Sequence, residues 1–353
     1  NTSLVIGCAT RDQAPYKAVM THGFVLDENR EKMSKRKGNV IEPEAAANTF
    51  GADVLRFWAA SVDYSEDVPC GENILRQLGD QYRTIRNSLR FILANLKGFD
   101  GKPPQTLLEL DQWVMEQCDL LVADCIDAYQ SYEFGRVMSN IHNFCAKEIS
   151  AFYLDAIKDR MYCDGENWDS RRSGQWASSH LVNQLVKLLA PILPHTAEEV
   201  YGKLPLDSKK ASIHLELFDA PSAESIKAIA ESKLETRFAA MLEIRAEVFA
   251  AFESVKGTDG LKNSQDARCT LTTTAENVQL LNSFGDELPN LFKMSDVLLM
   301  EGDAKIEFAP SPFELCERSR IRRSCVAEVK LKSGESVKLS ARDQKVMQEM
   351  GLL

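Results

Sequence analysis

Residues Lys32-Met33-Ser34-Lys35-Arg36-Lys37-Gly38-Asn39 form the run best suited to chemistry, and Thr21-His22-Gly23-Phe24-Val25 lies just upstream. Lys32 and Lys35 flank the small hydroxyl of Ser34. Such a loop can fold over a polyphosphate and follow its charge as a leaving group departs, because an ammonium on a long stem is a movable point charge. Gly38 and Asn39 tolerate positive φ and suit a tight closing turn. A solvated basic loop is the simpler alternative, and it is the commoner one for Lys/Arg-rich octamers.

Two other basic sets stand out. Arg76, Arg83, Arg86 and Arg90 fall largely on one helical face. The tail is locally basic, with Arg318, Arg320, Arg322, Arg323, Lys330, Lys332, Lys338, Arg342 and Lys345. Each set reads either as a phosphate-contacting surface or as a solvated face. The five histidines are scattered, and neither His22 nor His142 has a metal-binding partner at suitable spacing. No Ser/His/Asp triad or glycine-rich phosphate loop is evident.

The order Lys-Met-Ser-Lys-x-x-Gly-Asn resembles the KMSKS loop of class I aminoacyl-tRNA synthetases. The run 14–24 is similar to the segment that leads into that loop in the isoleucyl family. Phe50-Gly51-Ala52-Asp53-Val54-Leu55-Arg56, Asp63-Tyr64-Ser65-Glu66-Asp67-Val68, Asn143-Phe144-Cys145, Ser150-Ala151-Phe152-Tyr153, Lys158-Asp159-Arg160-Met161-Tyr162-Cys163 and Leu193-Pro194-His195-Thr196-Ala197-Glu198-Glu199-Val200 extend the resemblance to about residue 205. Valyl and leucyl enzymes share the loop and the Gly-Ala-Asp segment. The runs at 63–68 and 143–163 point to the isoleucyl member, with a valyl enzyme as the rival.

The resemblance implies that Lys32 and Lys35 stabilise the transition state in which an amino-acid carboxylate attacks the α-phosphate of ATP. It places His22, Lys32, Met33, Ser34 and Lys35 at the ATP site, with Mg in the full enzyme. It implies isoleucine and tRNA(Ile) as further partners, and makes Arg76, Arg83, Arg86, Arg90, Arg318, Arg320, Arg322 and Arg323 candidate tRNA contacts. A monomer in the cytoplasm is expected. Position 36 is Arg where the usual motif has Ser, which adds a cation and removes a hydroxyl. No HIGH motif is present, so the chain is expected to be the C-terminal part of a synthetase and inactive alone. A non-catalytic tRNA-binding paralogue is the alternative.

The family commonly ends in a zinc knuckle with two Cys-x-x-Cys pairs. Cys316 and Ser319 align with the first pair, and Ser340 and Asp343 with the second. Three of the four cysteines are replaced, and Ser hydroxyls are poor zinc ligands, so no zinc is expected. An incidental thiol at Cys316 is the other reading.

The elements that would position these residues follow from length and pattern. The chain has 353 residues, enough for two or three domains. Nine scattered cysteines argue against a disulfide scaffold and fit a reducing cytosol. No apolar run approaches a membrane span. The net charge of −10 argues against nucleic-acid binding through bulk charge, but leaves room for a local basic surface. The expected fold is mainly α. Residues 1–62 form the end of a Rossmann-type α/β catalytic domain, 63–205 a helical anticodon-binding bundle, 206–310 a linker helix with a small α+β domain, and 311–353 a degenerate knuckle-like tail. Within these, the patterns predict a strand over 17–25 and helices opening at 43 and 53. Further helices are predicted from 73, over 107–129, over 134–157, over 180–189 and over 194–203. A polar loop is expected at 162–174, an extended link at 212–218 and one long helix to 255 from about 226. Strands at 268–273, 297–300 and 305–309, a helix at 275–284 and a hairpin across 332–334 complete the reading.

Overall fold

The computed structural model describes residues 1–205, 209–258 and 260–353, so the expected boundary at 205/206 abuts residues outside those described. Helix α1 (Thr2–Arg11) precedes a two-residue strand β1 (Val25–Leu26). Pro43 opens α2 (Pro43–Phe50), where its missing N–H costs nothing, and Gly51 joins it to α3 (Ala52–Ser61). Strand β2 (Val68–Pro69) pairs with β1 in parallel. The strand expected over 17–25 is therefore confined to its last residue. Among the described residues β2 is the only strand beside it, and extended chain without a ladder partner is not held as a strand.

The bundle comprises α4 (Glu72–Asn95), α5 (Glu109–Gln130), α6 (Phe134–Phe144), α7 (Leu154–Cys163), α8 (Asp169–Leu189) and α9 (Pro194–Gly202). Leu75, Ile85, Leu89 and Ile92 of α4 are buried, as the apolar period requires. A π-helical stretch, Cys145–Tyr153, joins α6 to α7, so the helix expected over 134–157 continues to Cys163 with a wider middle.

The polar loop expected at 162–174 is a loop only between α7 and α8. Its second half is helical because its polar side chains are satisfied inside the protein. The Asp169 carboxylate accepts from the backbone N–H groups of Gln105 and Thr106, both at 2.8 Å. Ser173 donates to the buried Asp111, which also accepts from Tyr153 Oη at 2.7 Å and from Arg160 at 2.6 and 2.8 Å.

After the bundle, a short 3-10 turn, Ile213–Leu215, interrupts the extended link. The single helix expected before 255 is two, α10 (Ala223–Ser232) and α11 (Leu234–Val255). They break at Lys233, whose φ of 57° no helix accommodates. Strand β3 (Ala267–Thr273) leads through α12 (Ala275–Asn282) and α13 (Leu288–Leu291) to β4 (Asp296–Glu301), and then β5 (Lys305–Pro310). The sheet order is β4-β3-β5, with β3 parallel to β4 and antiparallel to β5. Phe252 of α11 packs edge-on against Phe308 beneath this sheet. One apolar core runs continuously from Phe57 through the bundle to Met294.

The tail holds β6 (Glu314–Leu315) paired with β7 (Arg322–Arg323), the expected hairpin β8 (Val326–Lys330) and β9 (Ser336–Ser340), and α14 (Ala341–Glu349). Helix α14 was not expected. Its polar sequence hides an N-cap in which Ser340 Oγ accepts from Asp343 N at 3.2 Å.

Candidate functional site

The loop at 32–39 is locked from below and open above. Asp27 Oδ1 accepts from the backbone of Asn29 and Glu31, closing a tight turn after β1. Asp27 Oδ2 accepts from Asn39 Nδ2 at 2.8 Å, and Asn39 Oδ1 accepts from Ser34 N at 2.9 Å. The Asn39 hydrogen bond is the main reason that the Asp27 carboxyl lies below its ordinary range. Gly38 supplies φ 69° at the far side of the turn, and Lys37 N donates to Ser34 O at 3.1 Å. The loop therefore closes with Arg36 in the usual serine's place.

The two key lysines differ in setting. Lys35 is exposed on the turn with no ion pair among the described residues, whereas Lys37 is paired with Glu31 at 2.8 Å. Lys32 is exposed and stands over the ring of Phe24 at 5.7 Å, itself 70% exposed. Met33 turns inward and packs with Ile41, Phe50, Leu55 and Trp58 on Ala46, Cys70 and Leu75. It anchors the loop, while Lys32 and Lys35 are left to face a ligand. His22 is exposed, and its Nδ1 lies 2.8 Å from Gly23 O.

Residues outside the candidate site hold this loop to the bundle, and of them only Asp53, Arg56 and Thr196 lie in the motifs read from the sequence. Glu28 accepts from Asn73 N at 2.8 Å and from Asn73 Nδ2 at 3.1 Å, capping α4. Gly71 permits this approach, since a Cβ there would lie 1.8 Å from Glu28 Cγ. Buried Asp53 accepts from Thr196 N at 2.7 Å and Thr196 Oγ1 at 2.5 Å, satisfying the start of α9. Arg56 donates to the carbonyls of Ile192 and Pro191, at 2.8 and 2.9 Å. The Gly-Ala-Asp segment thus binds the loop's own unit to the far end of the bundle, about 140 residues on in sequence. A buried acid at a helix start was the only signal in the sequence.

The basic sets divide. Arg76, Arg83 and Arg86 make exposed pairs with Glu72, Asp80 and Glu199, and Arg90 is exposed without a pair among the described residues. Such surface pairs are weak and exchange readily for phosphate. The tail differs from the expectation of a free cationic row. Arg318 is bonded to Asp343 and to Cys163 O, Arg322 to Asp266 and Phe313 O, and Arg323 to Asp159. Only Arg320 of that set is exposed and unpaired among the described residues. Folding uses the other three to fasten the tail to α7 and to the turn just before β3.

Three of the four knuckle positions come together. Cys316 Sγ donates to Asp343 Oδ2 at 3.2 Å and accepts from Ser340 N at 3.3 Å, while Ser340 Oγ donates to Asp343 Oδ2 at 2.7 Å. Ser319 Oγ is buried without a partner among the described residues. One thiol, two hydroxyls and a carboxylate already held by Arg318 do not fit a tetrahedral zinc site. Burial alone would push the Asp343 carboxyl up. The hydrogen bond from Ser340, the charge of Arg342 and the bonds from Cys316 and Arg318 outweigh it and hold it at about 2.

Residues 1–70 match the family described as tRNA synthetases class I (I, L, M and V), and residues 111–271 match the anticodon-binding domain of tRNA ligase. The isoleucine–tRNA ligase of Carboxydothermus hydrogenoformans is 38% identical over 329 residues, 92% of this chain and 35% of the relative. That of Moorella thermoacetica is 43% identical over 302 residues, 84% and 32% of the two chains. The chain belongs to the isoleucine–tRNA ligase family. It spans about a third of the length of the curated relatives it matches and corresponds to their C-terminal part. The Pseudomonas aeruginosa member of this family is 47% identical over 209 residues, 58% of this chain and 22% of its own. A solved structure, the agnB2 LeuRS of Agrobacterium radiobacter K84 in a LeuRS-tRNA-LeuAMS ternary complex, shares the fold at TM-score 0.50 and 17% identity. It covers 64% of this chain and 27% of its own.

Proposed function

We propose that this chain is the part of an isoleucine–tRNA ligase that supplies the mobile cations of amino-acid activation and holds the anticodon arm of tRNA(Ile). The supporting observation is the loop: Lys35 stands free on a turn whose backbone is fixed by Ser34, Asn39 and Asp27. In activation, an isoleucine carboxylate oxygen attacks the α-phosphorus of ATP and the bond to the pyrophosphate oxygen breaks. Charge builds on the departing pyrophosphate, where the ammonium groups of Lys32 and Lys35 stabilise it more than in the ground state. Mg accompanies ATP as part of the substrate. The exposed arginines of α4 and Arg320 meet tRNA phosphates.

Residues 1–62 serve as the end of the catalytic unit, 63–205 as the anticodon-binding bundle and 206–353 as its C-terminal extension, working as a cytoplasmic monomer without zinc. Pyrophosphate exchange with isoleucine and ATP tests this reading. Exchange is expected from the complete enzyme and not from the 353-residue chain alone. An enzyme that exchanges with valine in preference to isoleucine, or a complete protein with no exchange at all, would overturn it.

A further inference from the structure

Tyr162 and Lys158 are the unspent residues of a motif whose other four members are consumed by folding. In the run 158–163, Arg160 is buried on Asp111, Asp159 binds Arg323 and Arg342, Met161 and Cys163 lie in the core, and the Cys163 carbonyl accepts from Arg318. Tyr162 is 56% exposed although its ring is large and flat. Phe91 of α4 braces it at near-perpendicular rings, with centroids 6.4 Å apart.

The ring stands on the ridge between two clefts. One, of about 390 Å³, is lined by Lys158, Lys293, Arg318 and Arg320, and the other, of about 640 Å³, by Lys97, Arg171 and Arg318. The acids that share these clefts are largely spent. Asp155 is paired with Lys293, Asp159 with Arg323 and Arg342, Asp164 with Arg342, and Glu349 accepts from Trp168. Lys97, Lys158 and Arg320 are exposed without ion pairs among the described residues, against Glu166 and Glu349 as exposed acids that also lack one.

Helix α4 leads to this ridge. At 100° per residue, Arg76, Arg83, Arg86 and Arg90 fall within a sector of roughly 80°, and Lys97 follows just past the helix end. A backbone-tracking cationic stripe that ends at a braced, exposed aromatic ring is the arrangement used to hold single-stranded nucleic acid. Of the more exposed aromatics, Tyr132 makes no cation–π contact among the described residues, and Phe24 belongs to the Lys32 loop.

We infer that Tyr162 is a stacking platform for one unpaired RNA base, with the phosphates on either side held by Arg90 and Lys97 toward α4 and by Lys158 and Arg320 toward the tail. The inference rests on the tRNA-binding part of the reading above and assigns it a residue. The probe is a tRNA(Ile) transcript with 2-aminopurine placed in turn at each anticodon position, titrated with the protein. Tyr162→Ala is expected to weaken binding roughly tenfold to a hundredfold and to abolish the stacking quench at one position. Tyr162→Phe is expected to restore both, and its side chain needs no new packing. Arg90→Gln should instead flatten the salt dependence by about one phosphate's worth and leave the quench intact. Wild-type binding with an unchanged affinity and quench in Tyr162→Ala overturns the platform while leaving tRNA binding standing. Absence of any tRNA binding by the wild type overturns both.

Discussion

The loop at 32–39 and the tail knot at 316–343 look alike as strings of cations, and the fold uses them in opposite ways. In the loop, backbone groups, Ser34, Asn39 and the Asp27 carboxylate make the structure, and Lys35 is left exposed and unpaired among the described residues. In the knot, Arg318 and Arg342 reach a carboxylate that is completely buried. An unpaired exposed ammonium can travel to a substrate. A guanidinium that neutralises a buried acid cannot leave without stranding it. The first region is therefore free to do chemistry, and the second is architecture.

The largest expected effect lies in the knot. Asp343→Ala leaves Arg318 and Arg342 facing a hole where their shared acid stood, which costs on the order of 3 kcal/mol. Urea unfolding should show that loss, or limited proteolysis should show early release of the residues after 310. Unchanged stability would mean that the pairing is a surface event and that the contrast between the two regions is false.

The matching change in the loop is Lys35→Ala in the complete enzyme. The unfolding transition should stay within about 0.5 kcal/mol of wild type, because an exposed residue without partners adds little to folding. If the proposed role holds and the cation acts on transition-state charge, single-turnover activation should fall roughly a hundredfold with isoleucine affinity nearly intact. Equal losses in affinity and rate would make Lys35 a ground-state binding residue instead.

Acid separates the regions further. The Asp343 carboxyl sits at about 2 in the folded chain against an ordinary 3.8. A carboxyl depressed by folding stabilises the fold fully above about pH 4, and that stability is lost as pH falls through about 2. The amount is about 2 kcal/mol. Asp343→Asn should start less stable at pH 7 and should lose less between pH 4 and 2. Parallel acid curves for the two proteins would remove Asp343 from the account of acid sensitivity.

The sequence made the regular parts of this chain legible and hid the polar joints. Leu75 to Ile92, Pro43, Pro194 and the β8–β9 hairpin announce themselves, because apolar period and turn chemistry are local signals. The start of α8 and the break at Lys233 do not, because a distant partner satisfies the one and backbone left-handedness makes the other; the cap of α14 is local, but Ser340 and Asp343 read as replaced knuckle ligands. The same holds in the site. Lys32 and Lys35 could be read directly, while the Asp27–Asn39 lock, the Glu28 cap and the Asp53–Thr196 joint could not. The tail arginines show the reverse error. As a charge run they look like a free surface, and only the positions of Asp159, Asp266 and Asp343 reveal that Arg318, Arg322, Arg323 and Arg342 are taken.

The smallest expected effect tests whether one cation of the tail still behaves like those of the loop. Arg320 is exposed, has no ion pair among the described residues and lines the cleft beside Tyr162. Arg320→Gln should therefore leave stability within about 0.5 kcal/mol, as exposed substitutions do. Arg323→Gln, which strips a partner from Asp159, should cost more. For tRNA the order reverses. Losing one phosphate contact at Arg320 should lower the salt slope by about 1 and weaken binding most at low salt. Arg323→Gln should leave the slope as it is. The two variants sit three residues apart, Arg320 in the turn before β7 and Arg323 within it, and each removes one positive charge. A lower salt slope for Arg323→Gln than for Arg320→Gln would mean that the tail presents its paired arginines to RNA, and that pairing in the folded chain does not decide which cations are free to act.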